Sequence, residues 1–149
     1  MSKYILKKIQ YSDYPILYEW LNDPTTRRNS FNQNKVSIKE HQNYIRDLIK
    51  DRDIIQYIFY DNSTPIGTIK EKKLPDYVIE LSYTVAPSER NKKIGSKMMA
   101  HYLKGKNGNF ICLIKQDNLP SIKMVESCGF KFSEIKDDVM YYKLNLTNE

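Results

Sequence analysis

The chain contains few of the residues that build metal centres and disulfide frameworks. Its 149 residues include only two cysteines and two histidines. Neither Cys112 nor Cys128 has a spacing to His41 or His101 that is typical of a zinc site. Cys112 falls in a predicted buried strand and Cys128 at a predicted helix end, where free thiols usually pack as small apolar groups. We therefore expect no metal ion and no structural disulfide.

Long apolar runs are also missing. No stretch of about 18 consecutive apolar residues occurs, so the sequence predicts no transmembrane helix. The start of the chain lacks the apolar core and the small-residue cleavage site of a signal peptide, and its pattern is typical of a strand. We expect a cytoplasmic protein with no membrane partner.

Acidic side chains are fewer than basic ones, 18 against 24, which gives a net charge of +6. A positive surplus favours anionic ligands. By charge alone, a phosphate-bearing small molecule fits about as well as a nucleic acid. The basic residues are scattered, and neither a basic arm nor a nucleic-acid-binding motif occurs, so we expect no nucleic-acid partner.

Length and composition indicate a single globular domain spanning residues 1–149. Hydrophobic residues make up 40% of the chain and charged residues 28%, which is usual for such domains. Periodicity and turn signals predict strands and helices in the order β-α-α-β-β-β-α-β-α-β-β. The predicted strands are 4–10, 54–60, 66–72, 77–85, 110–114, 130–135 and 139–144. The predicted helices are 12–21, 37–51, 94–104 and 119–128, with a polar loop at 25–36.

The second of these helices has clear end signals. Ser37 and Glu40 have the spacing of a capping box at its start. Its predicted apolar face consists of Ile38, Tyr44, Ile45, Leu48 and Ile49.

Residues 83–99, YTVAPSERNKKIGSKMM, form the stretch around which the rest of the chain is arranged. They predict a strand that ends at a proline, a short basic loop, and a helix that begins near Gly95. The amides at a helix start lack intrahelical partners and add the positive end of the helix dipole, so an anion can bind there. The alternative is an ordinary, solvated helix start.

Two motifs and the order of elements resemble the GCN5-related N-acetyltransferases, the GNAT superfamily. The family signature Arg/Gln-x-x-Gly-x-Gly/Ala falls on residues 90–95, RNKKIG. A second motif, Asn-x-x-Ala/Ser followed by Gly-Phe, falls on Asn118, Ser121, Gly129 and Phe130. The resemblance implies an α/β domain with a mixed, mostly antiparallel seven-stranded sheet and about four helices. It also implies an acyltransferase that uses acetyl-CoA as cosubstrate, without a metal.

By this resemblance, the loop amides hold the pyrophosphate of coenzyme A, and the pantetheine arm pairs with the preceding strand. The cofactor-binding residues that it implies are Val85, Arg90, Asn91, Lys92, Lys93, Ile94, Gly95, Ser96, Asn118 and Ser121. For Asn118 the alternative is a helix cap before Pro120.

The sequence departs from the family pattern at two positions. Lys93 stands where the signature has its first glycine, which raises the question of whether the backbone there is left-handed. Val125 stands where many members have a tyrosine that protonates the leaving thiolate. Cys128, Tyr141, Tyr142 or water are the alternatives for that acid.

The resemblance implies catalytic roles for Glu80 and Tyr83. Glu80 lies on the cofactor strand where several members have a general base, and its alternative is a solvated or lysine-paired carboxylate. The family also suggests that this strand splays at a bulge near residues 82–85, which frees an amide to stabilise the oxyanion. Tyr83 could line the same cleft, or it could simply pack.

The acceptor is expected to be a small-molecule amine held by the first two helices, their connecting loop and the middle strands. The stretch EWLNDPTTRRNSFNQNKVSIKEH resembles acetyltransferases of pseudaminic-acid-type pathways, which act on nucleotide-linked amino sugars. The implied substrate-binding residues are Trp20, Arg27, Arg28, Ser30, Phe31 and His41. Their structural alternatives are a core position for Trp20, a solvated loop for Arg27 and Arg28, and a position on a helix face for His41. The alternatives are a peptide or protein N-terminus as acceptor, or a coenzyme A-binding module without activity. We expect a monomer or a homodimer.

Overall fold

The computed structural model describes residues 3–147. In these residues the strands are β1 Tyr4–Lys8, β2 Ile54–Asp61, β3 Thr64–Leu74, β4 Val78–Val85, β5 Gly108–Lys115, β6 Lys131–Lys136 and β7 Val139–Leu146. The helices are α1 Tyr14–Leu21, α2 Pro24–Asn29, α3 Ile38–Lys50, α4 Ile94–Leu103 and α5 Leu119–Ser127. None of the helices in this part of the chain is long and apolar enough to cross a membrane.

The strands form one mixed sheet in the order β1-β2-β3-β4-β5-β7-β6. Each neighbouring pair is antiparallel except β4 and β5, which are parallel. A parallel pair needs a crossover, and α4 supplies it between these two strands. The predicted seven-stranded, mostly antiparallel α/β fold is confirmed.

Helices cover both faces of the sheet, and each face has its own apolar core. On one face α4 and α5 bury side chains such as Met98, Met99 and Val125 against the central strands. On the other face α1 and α3 bury Trp20 and Ile45. Both cores meet at β2, where Phe59 packs in the first core and Ile58 in the second, because alternate residues of a strand point to opposite faces.

The sequence predicted a polar loop at residues 25–36, but residues 24–29 form the short helix α2. Asp23 caps this helix by accepting a hydrogen bond from the Thr26 amide at 3.1 Å, and Pro24 occupies the first helical position. A capping aspartate followed by proline is a strong helix start, so the proline that ends α1 also begins α2.

The buried face of α3 was also predicted only in part. Ser37 is the N-cap as predicted, and its hydroxyl accepts from the Glu40 amide at 3.2 Å. The Glu40 carboxylate accepts from the Ser37 hydroxyl rather than from the Ser37 amide, so only half of the capping box is formed. Of the predicted apolar face, however, Ile38, Tyr44 and Ile49 are exposed. The residues that α3 buries are His41, Ile45 and Leu48, at the spacing of one helical face. A histidine therefore takes a core position.

His41 is 3% exposed, and neither of its ring nitrogens has a hydrogen-bond partner in the described residues. Its ring lies 5.6 Å from the Tyr18 ring and 6.4 Å from the Tyr44 ring, measured between centroids. Burial lowers the pKa of His41, and the nearby Tyr14 backbone, which does not reach hydrogen-bond geometry, offsets part of this effect. The neutral ring is therefore the form that the fold favours.

We expect His41 to make the fold sensitive to mild acid. A lowered folded-state pKa means that the unfolded chain binds the proton first, so stability falls as the pH drops below about 6.5. His41→Leu should keep the free energy of unfolding at pH 7.5 within about 1 kcal/mol, because an apolar group of similar size replaces an unpartnered polar one. It should also flatten the loss between pH 6.5 and 5, measured by urea unfolding.

The matched control for this experiment is His101→Gln, since His101 is exposed. It should leave the pH dependence of stability unchanged. An acid loss of equal size in His41→Leu and in the unmodified chain would contradict the assignment.

Candidate active site

The parallel strands β4 and β5 stay paired for only three residues. Residues 78–80 lie opposite residues 109–111, and Glu80 and Ile111 are the last pair. Beyond this point β4 continues to Val85 against β3, and β5 continues to Lys115 against β7. We call the space between residues 81–85 and 112–115 the wedge. A strand edge without a neighbouring strand is able to pair with an extended ligand.

The wedge does not depend on a bulge in β4. The β3–β4 register runs without a shift from Gly67 opposite Val85 to Leu74 opposite Val78. The prediction of a bulge near residues 82–85 is therefore wrong, since the pairing of β4 with β3 contains no extra residue there. The strands part because β5 follows β7 after Ile111.

The loop that follows β4 ends in a helix start without a side-chain cap. Lys93 is the N-cap of α4, with φ 60° and ψ 26°, and its side chain makes no capping hydrogen bond. The first helical bond runs from the Lys97 amide to the Lys93 carbonyl, at 3.2 Å. The amides of residues 94–96 therefore have no intrahelical acceptor. Together with the helix dipole, they form an anion site.

Lys93 adopts the left-handed backbone that the family signature assigns to glycine. Asn91, two residues earlier, is also left-handed, with φ 65°. Asparagine tolerates this region, whereas for lysine it costs roughly 1–2 kcal/mol. The loop geometry thus survives the replacement of glycine, at the expense of stability.

Three of the four basic residues at the loop contact the protein itself. Arg90 donates to the Asp23 carboxylate at 2.7 Å, Lys92 lies 3.4 Å from Glu89, and Lys97 donates to the Tyr4 hydroxyl at 3.3 Å. Lys93 is exposed and makes no ion pair within residues 3–147. Of the four, Lys93 is the cation that is free to meet an anion.

The remaining loop residues act through the backbone and through packing. Ile94 is buried beneath the first turn of α4. A Cβ added at Gly95 would lie 3.4 Å from Met124 and 3.6 Å from Val85, so α5 and β4 approach this turn closely. The Ser96 hydroxyl lies 3.4 Å from that of Ser127.

The second motif places Asn118 and Ser121 at the first turn of α5. Asn118 is the N-cap, and its side-chain oxygen accepts from the Ser121 amide at 3.5 Å. The capping alternative is therefore observed, and the side-chain amide remains available as a donor. The Ser121 hydroxyl hydrogen-bonds to the hydroxyl of Tyr83 on β4.

Tyr83 packs on the α4/α5 side of the wedge, against the core. Burial raises the pKa of Tyr83 far above its usual range, and the nearby Cys112 adds to this. The hydroxyl therefore stays protonated at neutral pH and is able to donate a hydrogen bond. Val125, on the next turn of α5 after Ser121, is fully buried and has no proton to give.

Glu80 stands at the point where β4 and β5 separate. It points to the face of the sheet opposite to Tyr83, since their positions along β4 differ by an odd number. It is partly exposed, and no ion pair joins it to Lys72, its neighbour on β3. A carboxylate in this position is free to accept a proton.

The structure assigns Arg27 to the interior. Arg27 is 9% exposed, and burial lowers its pKa from the usual arginine value. Its guanidinium donates to the carbonyls of Leu21, Asn32 and Asn34 at 2.7–3.1 Å and to the Ser30 hydroxyl at 3.1 Å. These bonds hold together the loop that follows α2. They leave the side chain little capacity for a substrate.

The other predicted acceptor residues fall into two groups. Trp20 and His41 are buried in the α1/α3 core, and the Ser30 hydroxyl is bonded to Arg27 and to the Thr26 carbonyl. Arg28 and Phe31 are exposed. Only these last two present a substantial surface to solvent.

A groove of about 330 Å³ lies beside Phe31, at the end of β5, and we call it the acidic groove. It is lined by Phe31, Lys115, Gln116, Asp117, Asp137, Asp138 and Val139. The three aspartates escaped the sequence analysis because aspartate is common in turns. All three aspartates are exposed, and Asp138 accepts a hydrogen bond from the Gln116 side chain at 3.1 Å.

A larger groove of about 580 Å³ runs between α4, the end of α5 and β7, and shares only Ser96 with the predicted site. No group of three or more His, Cys, Asp or Glu residues in the described chain is arranged to hold a metal ion.

Comparison with known proteins decides the family. The family model described as an acetyltransferase (GNAT) domain matches residues 3–131. The chain belongs to the GNAT acetyltransferase family. It is therefore an acetyltransferase, and acetyl-CoA is its cosubstrate. Among curated proteins, none matches its sequence.

Solved structures agree with this GNAT fold. Spermidine N-acetyltransferase from Vibrio cholerae, in complex with CoA and spermine, has a TM-score of 0.86 and 15% identity, over 95% of each chain. Aminoglycoside acetyltransferase AAC(6')-Ib with coenzyme A has a TM-score of 0.79 and 19% identity, over 96% of this chain and 95% of that one. An N-acetyltransferase from Staphylococcus aureus Mu50 has a TM-score of 0.78 and 20% identity, over 98% and 100%.

Two substitutions at Lys93 distinguish the effect of its positive charge from the effect of its strained backbone. Lys93→Gly removes both, and Lys93→Gln removes the charge alone. We expect the glycine variant to unfold with a free energy about 0.5–1 kcal/mol higher than the glutamine variant, because glycine accepts positive φ. Both should bind CoA roughly two- to fivefold more weakly than the unmodified enzyme, since one anion contact is lost.

Urea unfolding and calorimetry with CoA measure the two quantities. Equal stability of the two variants would show that the lysine backbone is not strained. Unchanged CoA affinity in both would remove Lys93 from the anion site.

Proposed function

We propose that this acetyltransferase transfers the acetyl group directly from acetyl-CoA to an elongated amine that carries a second positive charge. The observation that carries the proposal is the placement of the acidic groove relative to Glu80. The groove lies at the end of β5, where the wedge is widest. Lys115 is four residues beyond Ile111, the partner of Glu80, which corresponds to roughly 13 Å of strand.

An acceptor that reaches both places needs a chain of about that length. Its reactive nitrogen would lie near Glu80, and a distal ammonium group would meet Asp117 and Asp137. Phe31 offers a ring that is 60% exposed at the same groove, which suits an alkyl chain or a cation over its face. These features together favour a polyamine-like acceptor.

The similar structures support this class of acceptor. One was solved with spermine and another acts on aminoglycosides, and both compounds carry several amines. At 15–19% identity the likeness shows the fold alone. The argument for this chain therefore depends on its own carboxylates.

A nucleotide-linked amino sugar is the second candidate. Lys115 and the exposed Arg28 are the cations that would meet its diphosphate. Arg27 is not available to bind that diphosphate, because its donors are bonded to Leu21 and to the loop that follows α2. Three aspartates lining the same groove would repel a diphosphate.

Direct transfer agrees with the state of the two cysteines. Burial raises the pKa of both Cys112 and Cys128, so neither is a thiolate at neutral pH. An acetyl-cysteine intermediate would need that thiolate. We therefore propose that the neutral amine attacks the thioester carbonyl carbon itself.

In this mechanism the C–N bond forms, the C–S bond breaks, and the amine loses a proton. Glu80 accepts that proton, directly or through water. An amide of β4 that faces the wedge donates to the oxyanion. The hydroxyl pair of Tyr83 and Ser121 donates a hydrogen bond to the departing coenzyme A thiolate, in place of the tyrosine that Val125 replaces. The proton that Glu80 accepted passes through water to the thiolate and gives the coenzyme A thiol.

The acceptor class is tested with a panel of spermidine, an aminoglycoside, a UDP-linked amino sugar and a short peptide. We expect acetyl-CoA consumption with the polycations first. Asp117→Asn with Asp137→Asn should raise the spermidine KM roughly tenfold and leave kcat nearly unchanged, because two surface charge contacts are lost. Asparagine also suits the left-handed backbone at residue 137.

Asp47→Asn, an exposed aspartate on α3, is the matched control and should leave the spermidine KM unchanged. Turnover of the sugar nucleotide alone would favour the second candidate. Turnover of the peptide alone would identify a peptide acetyltransferase.

Glu80→Gln tests the general base. The variant should lower kcat/KM about 100-fold at pH 7 and much less near pH 10, where the free amine is already deprotonated. The measurement is the pH profile of kcat/KM with the best acceptor of the panel. An equal loss at every pH would assign Glu80 to substrate placement.

A further inference from the structure

The short helix α2 is bonded to the chain beyond β4 and to the end of β5, the two strands that border the wedge. On one side, Asp23 accepts from Arg90, which follows β4, at 2.7 Å. On the other side, the Arg28 carbonyl accepts from the Lys115 ammonium group, at the end of β5, at 3.1 Å. One six-residue helix thus connects the two strands that have parted.

Asp23, Thr26 and Arg90 form a compact hydrogen-bonded cluster on the first of these sides. One Asp23 oxygen accepts from the Thr26 amide, the Thr26 hydroxyl and Arg90. The same Arg90 nitrogen donates to the Thr26 hydroxyl at 3.2 Å. Desolvation alone would raise the pKa of Asp23, but the bonds from Arg90 and Thr26 and the guanidinium charge outweigh it, so the pKa lies below its usual value. The carboxylate is therefore ionised throughout the neutral range.

Little else positions α2 relative to the cofactor loop. A helix of this length is not stable by itself. Its one buried side chain, Arg27, bonds to α1 and to the loop that follows α2, and not to residues 90–96. In the described residues, the side-chain hydrogen bonds that join α2 and its cap to the cofactor loop are those of Arg90 to Asp23 and Thr26.

Arg90 begins the loop that carries the anion site. Between it and α4 lie the two left-handed residues Asn91 and Lys93. A bound phosphate would hold these strained residues in place through the amides of 94–96, and Arg90 with them. Ordering of the loop would then be transmitted to the next bonded group, which is Asp23.

We propose that the Asp23–Arg90 ion pair couples the two substrate sites, so that cofactor binding at loop 90–96 orders α2 and with it the acceptor side near Phe31. This inference rests on the proposed function for its acceptor. Asp23 is a positioning residue that touches neither substrate. Coupling between two sites is reciprocal, so the acceptor also tightens the binding of the cofactor.

The experiment measures amide hydrogen exchange in residues 24–34, with and without CoA. Useful probes are the Arg27 amide, bonded to Asp23, and the Ser30 amide, bonded to Arg27. In the unmodified enzyme CoA should slow their exchange about tenfold, within the usual range of coupling factors. Asp23→Asn keeps a good helix cap but loses the charge, so α2 remains while the coupling is lost. CoA should still bind this variant without slowing exchange in α2.

Glu89→Gln is the matched control. It makes the same change of acid to amide next to Arg90, but its partner Lys92 lies within the loop. CoA should slow exchange in α2 of this variant as in the unmodified enzyme. Asp23→Ser, which also caps helices, provides a second uncoupled variant if the asparagine form does not fold.

The outcomes separate this proposal from the proposed function. Full CoA-dependent protection of α2 in Asp23→Asn or Asp23→Ser would overturn the coupling and leave the acetyltransferase assignment intact. CoA binding to the unmodified enzyme without any change in α2 would also overturn it. Protection that disappears in both Asp23 variants and persists in Glu89→Gln would establish the ion pair as the link, whichever amine of the panel is acetylated.

Discussion

The parting of β4 and β5 after three paired residues is the constraint on which the site depends. A sheet gains stability from each ladder bond, and within residues 3–147 the one parallel pair, β4 with β5, stops after three residues. The lost pairing leaves a strand edge that a thioester arm is able to use. Glu80 stands at the narrow end of the opening, Tyr83 lies on one of its faces, and the anion site follows the end of β4.

Two adjacent arginines show how burial separates residues that look equivalent. Arg27 is buried and bonded to the loop around it, whereas Arg28 is exposed. A buried guanidinium without partners would cost several kcal/mol, so the four bonds of Arg27 explain why a polar, glycine-free loop has one defined path. That path places Phe31 beside the acidic groove.

Departures from the family pattern are compensated locally. The helix start keeps its left-handed residue although lysine replaces glycine, and the lysine adds a positive charge where an anion is expected. At Val125 the lost hydroxyl is not restored on the same turn of α5. The hydroxyl pair of Tyr83 and Ser121 lies one turn earlier, on the wedge side of α5.

The sequence by itself determined the order of elements, the strand-loop-helix unit at residues 83–99 and the family, because these follow from local periodicity and from motifs of contiguous residues. The short helix α2 was also readable in principle, since Asp23 and Pro24 are its start signals. Only the tertiary structure decided between the binding and the interior positions of Arg27, Trp20 and His41. It alone also showed that Arg90 binds Asp23 and that three aspartates from two turns line one groove. These relations join residues up to 67 positions apart. Residue type and spacing carry no information on such distances until the sheet brings the segments together.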